Sequence, residues 1–176
     1  MSMRDVNPFV SRLLAGLMIV SVPAGALGEG TKVGGHVGLA TSLVTRTSES
    51  SRDTDISDTF TLVAPIGVTV KLSDRLAIDF ETQVANRLRP KENATSSLVV
   101  APGVVYNFGP FAAGLRVASA IGAPSNVGVI PLINRGLVPL GRGATWFVEA
   151  AFPTFFHRKP DPEVTFDVVI HTGIAF

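Results

Sequence analysis

Cysteine is missing from this chain of 176 residues, and charged residues are scarce. Without cysteine the protein folds without disulfides, and thiol catalysis, thiolate metal sites and a lipid anchor on an N-terminal cysteine are excluded. Charged residues make up 16% of the sequence, compared with about 25% in typical domains. So few charges cannot cover a surface that meets water everywhere. We therefore expect one domain with part of its surface in another environment.

A long hydrophobic run is also missing once the N-terminus is set aside, since a membrane helix needs about 20 consecutive apolar residues. Residues 1–26 combine Arg4 and Arg12 with a short apolar stretch and small residues at 24–26. This is the layout of a cleaved signal peptide, with a buried N-terminal helix as the alternative. Its removal takes away two arginines and one aspartate and leaves a formally neutral domain, 27–176. A neutral domain gives no reason to expect nucleic acid as a partner.

What the sequence has instead is alternation. From residue 32 onward, apolar residues occupy every second position over stretches of about ten, which indicates β-strands. Pro131 and Pro139 disturb one stretch, in which we expect a bulge. The pattern predicts eight strands, at 32–45, 59–72, 76–87, 97–108, 111–121, 127–140, 144–156 and 165–176.

The connections between these strands alternate in length. Short turns at one end and long polar loops at the other, with an even number of strands, are typical of a transmembrane β-barrel. The short turns are 73–75, 107–110 and 141–143, and the longer loops are 46–58, 88–96, 122–126 and 157–163.

The two faces of the predicted strands differ in side-chain size. One face carries large apolar residues, for example Leu39, Ile66, Leu115 and Ile170. The other carries mainly Gly and Ala, whereas soluble surfaces carry Lys, Glu and Arg. We therefore predict that the large face meets lipid and the small face lines a barrel lumen, because eight strands leave just enough room for side chains. In lipid only a closed barrel pairs all the backbone polar groups of its strands.

Aromatic residues support this orientation, because membrane barrels carry aromatic belts at both interfaces. The predicted interface aromatics are Tyr106, Phe108, Phe111, Trp146 and Phe176 at the turn end, and Phe60, Phe156 and Phe166 at the loop end.

Together with the final alternating strand, VVIHTGIAF at 168–176, these features resemble a small bacterial outer-membrane β-barrel of the OmpA-type eight-stranded class. The resemblance implies an all-β, eight-stranded antiparallel up-and-down barrel in the outer membrane of a Gram-negative bacterium. Outer-membrane lipid, lipopolysaccharide and the barrel-assembly machinery would be its partners, and no peptidoglycan-binding module is expected. In that class the last strand is the assembly signal, here Phe166, Val168, Ile170, Ile174 and Phe176.

Several polar residues face the predicted lumen by parity: His36, Asp79, Glu81, Arg116, Glu149, Asp167 and His171. Unpaired charges in a narrow lumen are costly, so we expect them to pair. Arg116 is the expected hub, bonded to Glu81 or Glu149 or both, because its planar fork can hold two carboxylates. Since carboxylates outnumber cations, either one carboxylate is protonated or Lys71 or Arg135 reaches in. A structural plug is favoured over a gated proton or ion path and over a catalytic carboxylate pair.

Catalytic, cofactor and metal sites are not expected. A lipid-modifying enzyme would need a nucleophile beside a base, and no serine lies at a matching depth beside the histidines. His36 and His171 come from strands that meet on closure, but a hydrogen-bonded pair is favoured over a metal site.

The predicted role is structural or surface-binding. A small-solute channel and a soluble exported lipocalin-like or β-sandwich binding protein are the alternatives. The basic segment 86–92 is a possible contact for lipopolysaccharide, with an ordinary solvated loop as the alternative. The sequence indicates no oligomeric state.

Overall fold

A computed structural model describes residues 32–47, 54–55, 60–88, 95–121, 126–157 and 163–176. The predicted signal peptide lies outside these residues, as does most of the loop 86–92. None of the described residues belongs to a helix long and apolar enough to cross a membrane.

The described chain is almost entirely β-strand. β8 and β9 are two parts of one wall strand, separated by Phe152 and Pro153, and β2 is a short extension beside β1. The strands are β1 (Lys32–Thr47), β2 (Thr54–Asp55), β3 (Phe60–Lys71), β4 (Leu76–Leu88), β5 (Thr95–Asn107), β6 (Ala112–Ile121), β7 (Val127–Gly141), β8 (Ala144–Ala151), β9 (Thr154–His157) and β10 (Glu163–Ala175).

The wall strands form one closed antiparallel sheet. Each strand pairs with the next in sequence, and β1 pairs with β10 from His36 opposite Ala175 to Thr47 opposite Thr165. The amide of Gly35 donates to the carbonyl of Phe176 at 2.8 Å, and the reverse bond measures 2.9 Å, which extends the closure to the last residue. The predicted all-β, eight-stranded antiparallel barrel is therefore confirmed, and a β-sandwich is excluded.

The irregular places of the barrel lie mainly where proline interrupts the pattern. The register of β7 against β8 shifts between Gly136 and Val138 and again between Pro139 and Gly141, which confirms the expected irregularity. The predicted strand 144–156 is split at Pro153, because proline has no amide to donate to a ladder. A further register shift on β1, between Ser42 and Val44, was not predicted.

Large apolar side chains cover the outside of the barrel. Leu39 is 57% exposed, Ile66 51% and Leu115 47%, whereas Ala101 and Ala118 are fully buried. The wall encloses a small apolar cluster on one side of the lumen, formed by Val99, Ala101, Ala118, Ile130, Leu132 and Ala151. The predicted orientation of the two faces is thus confirmed.

Candidate functional site

Arg116 lies at the centre of the lumen and is 2% exposed. Its strand, β6, places it opposite Gly103 on β5 and Ile130 on β7. Gly103 has no side chain, and a Cβ there would lie 2.6 Å from Cγ of Arg116. The glycine therefore provides the space in which the arginine side chain crosses toward the next strand.

The guanidinium of Arg116 holds three carboxylates. Its Nε and Nη2 each lie 2.8 Å from Oδ2 of Asp79. Nη1 donates to Oε1 of Glu149 at 3.0 Å, and Nη2 lies 3.3 Å from Oε2 of Glu81. All four side chains are almost completely buried. Charged hydrogen bonds of this kind are stronger than neutral ones, so the four residues form a rigid charged layer across the barrel.

Two histidines complete this layer. Nε2 of His36 lies 2.7 Å from Oε2 of Glu81, and Nδ1 of His171 lies 3.5 Å from Oε1 of Glu149. The two rings are 6.0 Å apart, and Phe147 packs edge-on against both. The layer around Arg116 thus spans from β4 and β6 across to β1, β8 and β10.

Strand register explains why these side chains meet. Gly67 separates His36 from Glu81 in one row of paired residues, as Gly103 separates Asp79 from Arg116 in another. A Cβ at Gly67 would overlap the ring of His36. Each glycine leaves a gap over which the charged partners reach one another.

Neutral side chains satisfy the remaining carboxylate oxygens. The hydroxyl of Thr69 donates to Oδ1 of Asp79 at 2.7 Å, and the amide of Gln83 donates to Oε1 of Glu81 at 2.5 Å. Asn134 approaches Oε2 of Glu149 at 3.4 Å. Sequence reasoning did not single out these three residues or Phe147. Strand parity could have placed Thr69, Gln83 and Phe147 in the lumen, since they share strand faces with Lys71, Glu81 and Glu149 respectively. Asn134 lies on β7, where the prolines obscure the parity.

The structure brings six of the seven predicted lumen residues together and leaves Asp167 apart. Asp167 lies nearer the loop end, where the hydroxyl of Thr45 donates to its Oδ1 at 2.5 Å. Lys71 and Arg135 do not join the layer; they line a cavity at the turn end. The layer therefore holds three carboxylates and one guanidinium, an excess of two negative charges when both imidazoles are neutral.

The charged layer separates two cavities. The upper cavity, at the loop end, has a volume of about 300 Å³, and the lower cavity, at the turn end, about 380 Å³. No described residue lines both. The charged groups on the upper wall include Glu81, Glu149 and Asp167, whereas the lower wall carries Lys71, Asp74, Arg75 and Arg135.

Two sets of side chains have the composition of metal ligands: His36 with Asp79 and Glu81, and Glu81 with Glu149 and His171. The two histidines fall in different sets, so they do not form the joint site weighed from the sequence. The carboxylates of both sets already bind Arg116.

The third histidine, His157, lies away from the charged layer. Its Nδ1 is 2.8 Å from Oδ1 of Asn126 and its Nε2 is 2.9 Å from Oγ1 of Thr165. Within the described ranges, none of the three histidines bonds a serine hydroxyl. The hydroxyl that His157 contacts is that of Thr165.

The predicted interface aromatics lie on the outer surface near the two ends of the barrel. Tyr106, Phe108 and Phe111 form a cluster at the turn end, with ring centroids 4.8 and 5.2 Å apart. Phe156 is exposed at the loop end. Trp146 is exposed on β8, where its Nε1 donates to Oγ1 of Thr172 at 2.8 Å. The side chain of Phe60 lies outside the described residues.

The residues of the predicted assembly signal alternate along β10 and end on Phe176, the residue that follows it. Phe166, Ile174 and Phe176 are exposed on the outer surface, while Val168 and Ile170 are half-buried. Their role in assembly stays a prediction.

Comparison with known proteins adds little to this geometry. No protein-family model matches the chain, and no curated protein matches it. Among solved structures, a protein described as "CymD monoaromatic hydrocarbon channel" is similar, with a TM-score of 0.35 and 16% identity over 85% of this chain and 48% of that one. The chain thus spans about half the length of that channel.

Proposed function

We propose that this protein is an integral β-barrel of the bacterial outer membrane with a plugged lumen and a structural or surface-binding role. The observation that carries this proposal is the layer around Arg116, in which a guanidinium and three carboxylates lie 1–3% exposed across the lumen. We infer that a layer held by so many charged hydrogen bonds closes the water path between the two cavities, which share no described lining residue.

The membrane part of the proposal rests on the outer surface. Every wall strand exposes large apolar side chains, among them Leu39, Ile66, Val104, Leu115 and Ile133. Soluble monomers rarely expose contiguous apolar patches larger than a few hundred Å². A closed barrel is also one of the two architectures that satisfy their backbone polar groups in lipid. Outer-membrane lipid, lipopolysaccharide and the assembly machinery are the partners that this placement implies.

The plug and the membrane placement are tested by two measurements on protein purified in detergent. Folded barrel should migrate differently from boiled protein on a detergent gel, and it should give little or no current in planar bilayers. Steady conductance from the unmodified protein would contradict the plug. Identical migration before and after boiling would contradict the stable membrane barrel.

A narrow ion channel is the second candidate, and the two cavities favour it. They approach the charged layer from opposite ends, so only one layer of side chains closes the path. Brief openings in bilayer recordings, made more frequent by replacement of Arg116, would support this function.

A non-catalytic role completes the proposal. It would be contradicted by hydrolysis of lipid A or phospholipid by the purified barrel that is lost on substitution of His157.

A further inference from the structure

The upper cavity has features of a ligand site that the plug alone does not require. Its volume of about 300 Å³ lies at the lower end of the range for small-molecule pockets. One part of the wall is apolar and includes Val99, Ala120, Ile130, Ala151 and Phe155. A space that served only as a gap between plug and loops would not need an apolar wall.

The charges that line this cavity have one sign. Glu81 and Glu149 lie at its floor and Asp167 nearer its mouth, and the described residues that line it include no lysine or arginine. Arg116 lies beneath the floor and does not line the cavity. Because the charged layer carries one guanidinium for three carboxylates, the floor retains a negative excess when both imidazoles are neutral, and a bound cation would offset it.

His171 provides an independent observation at the same floor. Its ring lines the cavity and is 2% exposed, yet within the described ranges its Nε2 has no hydrogen-bond partner. Nδ1 is the nitrogen nearer to Glu149, at 3.5 Å. A buried polar atom without a partner is costly, and a ligand that donates an N–H bond would supply what this nitrogen lacks.

Ligand atoms of Glu81, Glu149 and His171 all lie within 4.8 Å of one another. An ammonium group that donates three hydrogen bonds of about 2.9 Å holds its acceptors about 4.7 Å apart by tetrahedral geometry. The upper limit of 4.8 Å between the ligand atoms leaves room for one –NH₃⁺ group among the three side chains, with Nε2 as the proposed acceptor on His171. The apolar wall above them suits a hydrocarbon body, which a bare metal ion would not use.

We propose that the upper cavity binds a small primary amine in its ammonium form, with the charged nitrogen at Glu81, Glu149 and His171 and an apolar body against β5 to β9. The proposal deepens the surface-binding role given above and rests on the plug as its floor. The expected ligand has a compact hydrocarbon body, because the cavity has room for little more than one ring.

The test is calorimetric titration of the detergent-purified protein with three probes of similar size. We expect 2-phenylethylammonium to bind at one site per barrel. Benzyltrimethylammonium keeps the charge but has no N–H donor, so it should bind at least about tenfold more weakly. Neutral 2-phenylethanol should show no saturable binding. These comparisons need no variant, so a folding defect cannot obscure them.

Two substitutions on one strand distinguish binding in the upper cavity from nonspecific uptake of the amine by the detergent micelle. Ala120→Leu fills the upper cavity, and Ala112→Leu makes the same change on the same face of β6 below the charged layer. We expect the first to abolish binding and the second to leave it unchanged. Glu149→Gln should weaken binding of 2-phenylethylammonium by about tenfold, as loss of one charged hydrogen bond predicts.

Equal binding of the alcohol and the amine, or an equal effect of the two alanine substitutions, would overturn the proposal. Saturable binding of Zn²⁺ or Ca²⁺ alone, without binding of the amine, would overturn it in favour of a metal site. Failure of the plug is distinguishable from failure of this site. A barrel that conducts and still binds the amine contradicts the plug only, whereas a silent barrel that binds no amine contradicts the site only.

Discussion

The two faces of β6 show how differently one strand can be built on its inner and outer sides. Arg116 and Ala118 point into the lumen and are buried, while Leu115 and Val117 point outward and are about half exposed. In a soluble protein the charged residue would be outside and the large aliphatic residues inside. The reversal supports the proposed lipid environment of the outer face, and it shows that the charges in this narrow lumen are paired.

The largest effect should follow from removal of the inner cation. Arg116→Met keeps much of the side-chain volume but leaves three buried carboxylates without their common partner. Breaking a buried ion pair in this way costs about 3–5 kcal/mol. Urea unfolding in detergent, followed by gel migration, measures the loss. Arg75→Met, at an exposed turn, is the matched control and should change stability by about 0.5 kcal/mol or less.

A charge added to the outer face should lower the free energy of unfolding nearly as much, but only when it lies midway between the two ends of the barrel. Leu115→Arg places a cation beside the level of Arg116 and should destabilise the barrel by about 2–4 kcal/mol in lipid vesicles, whereas Phe111→Arg near the turn end should cost about 0–1 kcal/mol. The same unfolding assay in vesicles compares them. Equal, small effects at both positions would mean that water, not lipid, covers the outer face.

The inner face should also reject added volume where the outer face does not. Gly67→Ala puts a methyl group into the ring of His36 and should cost about 1–3 kcal/mol through overpacking. In a His36→Ala background the same substitution should cost markedly less, because the clash is gone. Additive effects of the two substitutions, measured as a double-mutant cycle, would argue against this contact.

The smallest difference in stability between the two faces should be seen when one threonine hydrogen bond is removed from each. Thr69→Val on the inner face removes a bond to the buried carboxylate of Asp79 and should cost about 1.5–3 kcal/mol. Thr172→Val on the outer face removes the acceptor of Trp146 Nε1 and should cost about 0.5–1.5 kcal/mol. A larger loss on the outer face would reverse the ranking of the two environments.

Parity alone predicts most of the fold and the membership of the lumen. Alternation placed His36, Asp79, Glu81 and Arg116 on one face because the strand period is two residues. It could not give their distances, which depend on how far neighbouring strands are staggered. That stagger puts Gly67 between His36 and Glu81.

The register shift on β1 escaped prediction for a related reason. Ser42 and Val44 fall within an unbroken strand pattern with no glycine or proline to mark the irregularity. Nor could the sequence show that Lys71 and Arg135 stay below the charged layer, since long side chains reach either way from their strands. The sequence showed that the lumen carboxylates outnumber the cations, but not that these two side chains leave the excess uncompensated at the cavity floor.

The most direct test of the inside-out barrel is a nitroxide scan along β6 in lipid vesicles, from position 112 to 121. We predict a period of two, with high collision rates for oxygen at 113, 115, 117 and 121 and low rates at 114, 116, 118 and 120, since oxygen concentrates in the bilayer. Rates with a water-soluble nickel chelate should be low at 115 and 117. High nickel rates at those two positions, or the opposite parity for oxygen, would contradict the account.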